Sequence, residues 1–182
     1  MRIVNLALIG LAVTTMAGCA FFMEAPGTPL ARAAHEGNID AIRSLVAGGA
    51  NPNDYDASNQ TPLHWAARGG HTPGPHPCGG EAAARPDVVA VLIELGADVD
   101  ATDRRTSIPG GSSGWTALHI AVHHEQFHTA ARLLESGANP NVRSREGTSV
   151  MAMATEEGAP TQLLQDLLAR GFEPRLAVPA SR

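Results

Sequence analysis

Apolar and polar residues follow one another along this chain in a pattern typical of short, paired helices. In one stretch Ala66 and Ala67 lie three and four residues after Leu63. In the next apolar stretch Val88 and Leu92 are four residues apart. This spacing puts the apolar groups on one stripe of each helix, and small alanines let two helices approach closely. The pattern therefore predicts helices that pack in pairs.

Residues that favour helix ends mark the boundaries of these elements. In each of the four units one hydroxyl residue precedes the first helix and is expected to cap it: Thr28, Thr61, Thr116 and Ser149. Pro29 and Pro62 take the first helical position, where the missing N–H costs little. Three glycines follow the second helix, where a left-handed residue ends it: Gly49, Gly96 and Gly137. Each unit is predicted to be a helix, a turn, a second helix and an extended turn.

The units recur with a fixed period. About 33 residues separate Thr28 from Thr61, and the same number separates Thr116 from Ser149. The spacing from Thr61 to Thr116 is longer than this period by about two thirds of a unit. We attribute the additional residues to two insertions, one over about 72–85 between the helices of the second unit, and one within 105–113 in the turn before the third.

The segments TPLARAA, TPLHWAA and TALHIAV resemble the T-P-L-H-x-A signature of ankyrin repeats, whose period is also about 33 residues. The resemblance covers about 28–175 and implies an all-α solenoid of about four helix-turn-helix repeats with two loop insertions. The first and fourth copies depart from the signature, and we expect them to cap the stack with polar outer faces. Residues 176–182 are expected to be a C-terminal tail.

The resemblance also implies roles for particular residues. The signature histidines, His64 and His119, are expected to be structural, each bonding the hydroxyl of the capping residue, Thr61 or Thr116, and the backbone between repeats. Proteins of this family bind other proteins through a concave face, and membership implies no catalysis and no cofactor.

His124-Glu125-Gln126-Phe127-His128 matches the H-E-x-x-H pattern of zinc proteases. In the repeat register, His123 and His124 end the first helix of the third repeat, and His128 begins the second. A zinc protease requires both histidines on one face of a continuous helix. We therefore interpret the match as accidental and predict that the protein is not an enzyme.

The first insertion contains His71, His76 and Cys78 within eight residues, and imidazole and thiolate are ligands for zinc or copper. Their spacing matches no closed four-ligand site, and the prolines and glycines around them are typical of a surface loop. The prediction is a loop without bound metal, with weak metal binding through these residues as the alternative.

The first residues have the features of a lipoprotein signal peptide. An apolar run over 3–16 is too short to span a bilayer, for which about 20 residues are needed. It ends in Met16-Ala17-Gly18-Cys19, which resembles a bacterial lipobox. We expect a signal peptide over 1–18, acylation of Cys19 and a short tether to residue 27. Ala20, instead of Asp, favours the outer membrane, facing the periplasm.

The formal charge of -5 and the absence of a basic cluster argue against a nucleic-acid partner. In the repeat register, the positions that form the recognition surface of this family are the ends of the first helices and the turn tips. The predicted partner-binding residues there are Arg68, Arg104, Arg105, Trp115, His123, His124, Arg145 and Glu156. Trp115 is predicted either to anchor a partner or to pack over its neighbouring turn.

These observations predict a membrane-anchored module of the bacterial envelope that binds another protein. Two roles fit this prediction, an adaptor that holds an envelope assembly at the membrane and an immunity-type inhibitor of a periplasmic toxin. The alternative of a different class is a metal-binding or zinc-hydrolase protein that uses the histidine-rich segments.

Overall fold

A computed structural model describes residues 26–71, 82–83, 86–105 and 113–171. Within these ranges the chain forms eight helices and one pair of two-residue strands. In chain order the elements are α1 (Pro29–Glu36), α2 (Ile39–Ala47), α3 (Pro62–Arg68), β1 (Gly70–His71), β2 (Ala82–Ala83), α4 (Pro86–Glu94), α5 (Ala117–His123), α6 (Phe127–Glu135), α7 (Val150–Glu156) and α8 (Thr161–Ala169). The predicted all-α, helix-pair architecture is confirmed.

The first helix of each pair begins at the predicted hydroxyl residue. Thr28 accepts a hydrogen bond from the Ala31 N–H at 3.0 Å, and Ser149 accepts one from Ala152 at 3.3 Å. Thr61 and Thr116 form capping boxes, in which a histidine three residues later bonds back to the capping residue. The start of each first helix is therefore fixed by contacts between residues that are close together in the sequence.

The helices stack in two layers. The first helices contact one another in the order α1, α3, α5, α7, and the second helices in the order α2, α4, α6, α8, while each first helix also packs against its own second helix. One alanine position is shared by all four first helices and is buried in each: Ala33, Ala66, Ala121 and Ala154. A methyl group at this position lets consecutive helices approach closely, and larger side chains such as Leu133 and Leu167 fill the core.

The extended turns between repeats, which we call fingers, hydrogen-bond to one another through their backbones. The Arg104 N–H donates to the Asn59 carbonyl at 3.0 Å, and the Arg145 N–H donates to the Ser113 carbonyl at 3.0 Å. Each finger also closes on itself, as where the Asp103 N–H donates to the Trp115 carbonyl at 2.8 Å. Neighbouring fingers are thereby held in register along the stack.

The two insertions lie where the repeat spacing placed them. The first separates α3 from α4, and its two ends are joined by antiparallel pairing of β1 with β2, a feature that the sequence did not predict. The second lies in the finger between α4 and α5, and its residues 106–112 fall outside the described part of the chain.

The fourth repeat differs from the others in the spacing of its second helix. Helix α7 begins one repeat period after α5, but α8 begins one residue later than the same period after α6. The additional residue lies between α7 and α8. At this end of the stack Leu168 is 56% exposed. Among the described residues, none of the helices has the length and apolar character needed to cross a bilayer.

Candidate functional site

A pocket of about 100 Å³ lies on the face of the stack where the ends of α3 and α5 meet the fingers of the second and third repeats. Its lining consists of Gln60, Arg68, Arg105, Trp115, Ile120, His123 and His124. Five of the eight predicted partner-binding residues thus converge on one site, which we call the concave pocket. Gln60 and Ile120 also line this pocket but were not among those eight.

Trp115 is half-buried and forms the finger side of the concave pocket. Its ring stacks on His119 with 6.3 Å between ring centroids, and meets His123 edge to face at 5.0 Å. Its backbone N–H donates to Asp103 Oδ1 at 3.0 Å. The ring therefore packs against helix α5 of its own repeat and also lines the pocket, and its role as an anchor for a partner stays a prediction.

The two pocket arginines are oriented by different partners. Arg105 donates through Nε to Oδ2 of the buried Asp103 at 2.8 Å, and its side chain is only 19% exposed. The Arg68 guanidinium lies over the Trp65 ring, 5.2 Å from the centroid, and its Nε approaches His124 Nε2 at 3.4 Å. Both side chains are thus positioned before any partner arrives, which lowers the ordering cost of binding.

The pocket histidines do not form a zinc-protease site. Helix α5 ends at His123, His124 caps it, and Glu125 has a left-handed φ of 55°, so that α6 begins only at Phe127. The two histidines of the H-E-x-x-H pattern, His124 and His128, therefore belong to different elements. His123 instead contacts Glu157 of the next repeat, with 3.3 Å between Nδ1 and Oε1.

His64 and His119 each contact the capping threonine of their own helix, and His64 also bonds the backbone of the next finger. The Nδ1 atoms lie 2.7 and 2.9 Å from the hydroxyls of Thr61 and Thr116, and each also accepts the N–H of that threonine. Because Nδ1 accepts, the ring proton is on Nε2, and in His64 this atom donates to the Trp115 carbonyl at 3.0 Å. His64 thereby links the start of its own helix to the next finger.

Burial keeps both of these imidazoles neutral. It lowers the pKa of His119 to about 4, although the Thr148 carbonyl and the Asp103 carboxylate act in the opposite direction. Burial also lowers the pKa of His64, against the Trp115 carbonyl. A neutral, buried ring that already bonds the cap of its own helix is suited to holding repeats together and not to acid–base chemistry.

Three of the predicted partner-binding residues lie outside the concave pocket. The Arg104 guanidinium sits over the Tyr55 ring at 3.8 Å from its centroid, an aromatic partner that sequence analysis missed. Arg145 is exposed on the next finger, against the backbone of Gly114, and Glu156 is exposed at the end of α7. These residues extend the surface beside the pocket without lining it.

A repeated geometry in the fingers was also missed. Asp56 is buried and accepts hydrogen bonds from the Trp65 indole at 2.7 Å and from the backbone N–H groups of Gly27, Ser58 and Gln60. Asp103 occupies the corresponding place in the next finger. The sequence did contain a sign of this arrangement, because both aspartates lie in the finger segment before a capping threonine.

Several predicted residues lie outside the described part of the chain: the signal peptide over 1–18, the acylation site Cys19, and the metal candidates His76 and Cys78. The third metal candidate, His71, contributes its backbone to β1. Within the described ranges, no group of three or more histidine, cysteine or acidic side chains is placed to hold a metal ion.

Comparison with known proteins agrees with the repeat architecture. One family model for ankyrin repeats in many copies matches residues 30–73, and one for three copies matches residues 80–176. Together they cover every helix of the structure except the first residue of α1.

Similar curated proteins include the palmitoyltransferase Hip14 of Drosophila melanogaster, 31% identical over 68% of this chain and 16% of that protein. The probable E3 ubiquitin-protein ligase XBOS34 of Oryza sativa subsp. japonica is 38% identical over 67% of this chain and 20% of its own. The glycerophosphocholine phosphodiesterase gde1 of Schizosaccharomyces pombe is 31% identical over 73% and 10%. This chain spans a fifth or less of each of these relatives, whose names describe enzymes. With a family match over more than half of its residues, this chain belongs to the ankyrin-repeat family.

Proposed function

We propose that this protein is a lipid-anchored module of a bacterial cell envelope that binds a partner protein through its concave face and finger tips. The observation that supports binding at this face is the concave pocket, where Arg68, Arg105, Trp115, His123 and His124 meet. Arginine and tryptophan are among the residue types most often found at the energetic centres of protein interfaces. The pocket combines them in a concave, preformed site.

The rigidity of the surroundings also favours recognition. The fingers are hydrogen-bonded to one another through the Arg104 and Arg145 N–H groups, and the pocket side chains are already oriented by Asp103 and Trp65. A partner that docks here orders few protein groups, so less of the interaction free energy is lost as conformational entropy.

Support for lipid anchoring comes from the sequence of residues 1–19. The relatives named above are eukaryotic and do not support a bacterial envelope location. Acylation of Cys19 would leave only the segment 20–27 before the first repeat. At about 3.5 Å per residue this segment spans at most about 28 Å, so the concave face would work close to the lipid surface. Replacing Cys19 with Ser should release the protein from sedimented membranes, and retention of this variant would contradict lipid anchoring.

Site-specific photo-cross-linking in intact cells tests binding at the concave face. Arg145→benzoylphenylalanine places the reactive group on an exposed finger beside the pocket, and Arg132→benzoylphenylalanine places it on the layer of second helices, where Arg132 pairs with Glu135. We expect a discrete adduct from position 145 that disappears when Trp115→Ala is added. Equal cross-linking from both positions, or none from position 145, would contradict the proposal.

The same experiment distinguishes the two predicted roles. A single adduct with one protein is expected of an inhibitor bound to one toxin. Adducts with several different proteins are expected of an adaptor. Either result identifies the process by identifying the cross-linked protein.

A further inference from the structure

The side-chain amide of Gln60 is a buried polar group whose oxygen the fold leaves unpaired. Gln60 lines the concave pocket and is only 1% exposed. Within the described part of the chain, its Oε1 atom accepts no hydrogen bond. Buried side-chain oxygens are usually paired, because burial removes the water that would otherwise donate to them. An unpaired amide at the wall of a pocket therefore indicates a contact that another molecule supplies.

The finger fixes the position of this amide. The Gln60 N–H donates to Asp56 Oδ1 at 3.1 Å, and the Gln60 carbonyl accepts the Asp56 N–H at 2.9 Å. Gln60 directly precedes the capping residue Thr61, just as Trp115 directly precedes Thr116. Consecutive fingers thus supply an amide and an indole ring from the same repeat position to one pocket. A narrow group that enters between the two fingers meets both.

The arginines of the pocket restrict which group pairs with Gln60. Arg105 is engaged by the buried Asp103, with 2.8 Å between Nε and Oδ2. Arg68 lies over the Trp65 ring, 5.2 Å from the centroid. Two guanidinium groups in the wall disfavour a cationic donor such as a lysine ammonium. A carboxylate has no proton to donate to Gln60 Oε1, so the group that fits best is neutral and carries an N–H.

A carboxamide is complementary to Gln60 on both sides. Its NH₂ donates to Oε1 while its carbonyl accepts from Nε2, so two amides join by a pair of hydrogen bonds. Rotation about the last torsion of Gln60 presents either atom to the pocket at low cost, because this torsion is broad. Asparagine and glutamine carry a carboxamide at the end of a narrow apolar stem. That stem suits the Trp115 ring and the buried Ile120, which line the same pocket.

We infer that the concave pocket binds the side-chain carboxamide of an asparagine or glutamine of the partner protein, paired with the Gln60 amide and flanked by the Trp115 ring. This inference rests on the proposed function, because it assigns the chemistry that the partner presents at the same face. A main-chain amide fits less well, since Oε1 is buried and a pocket of about 100 Å³ admits one small group.

Titration of the purified, ¹⁵N-labelled protein with matched peptides, followed by NMR, tests the inference. The probe is an acetylated and amidated Gly-Gln-Gly peptide at millimolar concentration. Two control peptides keep its backbone and replace Gln with Glu or with norleucine, which has a similar length and no polar group. We expect the Gln60 side-chain NH₂ and the Trp115 indole signals to shift with the Gln peptide. Both controls should bind at least about tenfold more weakly, because a site built on paired hydrogen bonds rejects analogues that cannot form them.

Variants assign the effect to the pocket. Gln60→Met removes the amide and keeps an unbranched side chain of similar size, and we expect it to weaken the Gln peptide at least about tenfold. Its urea unfolding midpoint should stay equal or rise, since an amide with an unpaired oxygen is costly to bury. An amide that served only the fold would give a lower midpoint. The matched control is Gln162→Met, which should leave affinity unchanged because Gln162 is exposed on α8 and pairs with Asp166.

Equal affinity for the Gln and norleucine peptides would overturn the inference, because it would assign binding to the shared backbone or to apolar contact. Tighter binding of the Glu peptide, no shift at Gln60 with the Gln peptide, or a lower unfolding midpoint for Gln60→Met would also overturn it. If the cross-link from position 145 persists at full yield when Gln60→Met is added, the proposed function stands and the carboxamide inference fails. Absence of this cross-link in the otherwise unchanged protein would instead be a failure of the proposed function.

Discussion

Acid should destabilise this fold through its two signature histidines. In His119, Nδ1 accepts the Thr116 N–H, so a proton added to this nitrogen would place a donor against a donor. His64 makes the same contact with Thr61. Both rings are buried, and water has no access to compensate the charge.

The direction and size of the effect follow from the pKa values. An unfolded histidine titrates near 6.5, whereas the pKa of His119 in the folded protein is about 4. Between these values the unfolded chain binds more protons than the folded chain, so stability is fully present above about pH 6.5 and is lost as the pH falls towards 4. At roughly 1.4 kcal/mol per pKa unit, His119 accounts for about 3 kcal/mol over the whole window. His64, whose pKa is also lowered, adds a loss of the same sign.

Urea unfolding followed by circular dichroism at about pH 7.5 and about pH 5 measures this loss. For His119 alone the calculation gives about 2 kcal/mol between these two conditions. The matched variant is His119→Asn, whose side-chain oxygen can accept the Thr116 N–H in place of Nδ1 but does not titrate. We expect the variant to be less stable at neutral pH and its pH dependence to be smaller than that of the wild type by about 2 kcal/mol.

The control is His128→Asn, because this histidine is exposed on α6 and should leave the pH dependence unchanged. The reasoning is refuted if His119→Asn and the wild type lose the same free energy on acidification, or if His128→Asn removes as much of the dependence as His119→Asn. A direct NMR titration of the His119 ring gives a second check, since its signals should stay constant down to about pH 5 in the folded protein.

Three further changes should alter stability by amounts that urea unfolding can measure. Asp56→Asn turns one carboxylate oxygen into a donor facing the Trp65 indole, and we expect a loss of about 3 kcal/mol; a loss below about 1 would show that the finger tolerates the clash. Leu133→Ala should cost about 2–5 kcal/mol because the side chain is fully buried, while Leu168→Ala, at a 56% exposed site, should cost well under 1; similar costs would contradict the assigned packing. Glu125→Gly should stabilise the protein by up to about 1 kcal/mol, since φ is 55° there, and a loss of stability would mean that the glutamate makes contacts worth more than the relief of backbone strain.

The local features of the repeat could be predicted from sequence because the residues that form them are close together in the chain. Thr116 and His119 are three residues apart and meet whenever a helix starts between them. The separation of His124 from His128 followed from the same logic, since the repeat register placed a turn between them. The constant period of the repeats also located both insertions without any knowledge of packing.

The candidate site could be predicted only in part. The register indicates which positions face the concave side, but it does not say which way a long side chain bends. Arg68 and Arg105 turn into the concave pocket, while Arg104 turns onto the Tyr55 ring, and nothing in their own sequence context distinguishes these outcomes. Likewise, β1 pairs with β2 only because the ends of the first insertion return to the same place.

The sequence by itself determined the repeat, its caps and its breaks, because each depends on contacts within a turn of helix or on the spacing of similar units. The tertiary structure decided where functional groups meet. Arg68 and His124 are 56 residues apart in the chain, yet their side chains touch because α3 and α5 stack through buried alanines. The charge and shape of the concave pocket are therefore properties of the stack, since no single repeat contains all the residues that form it.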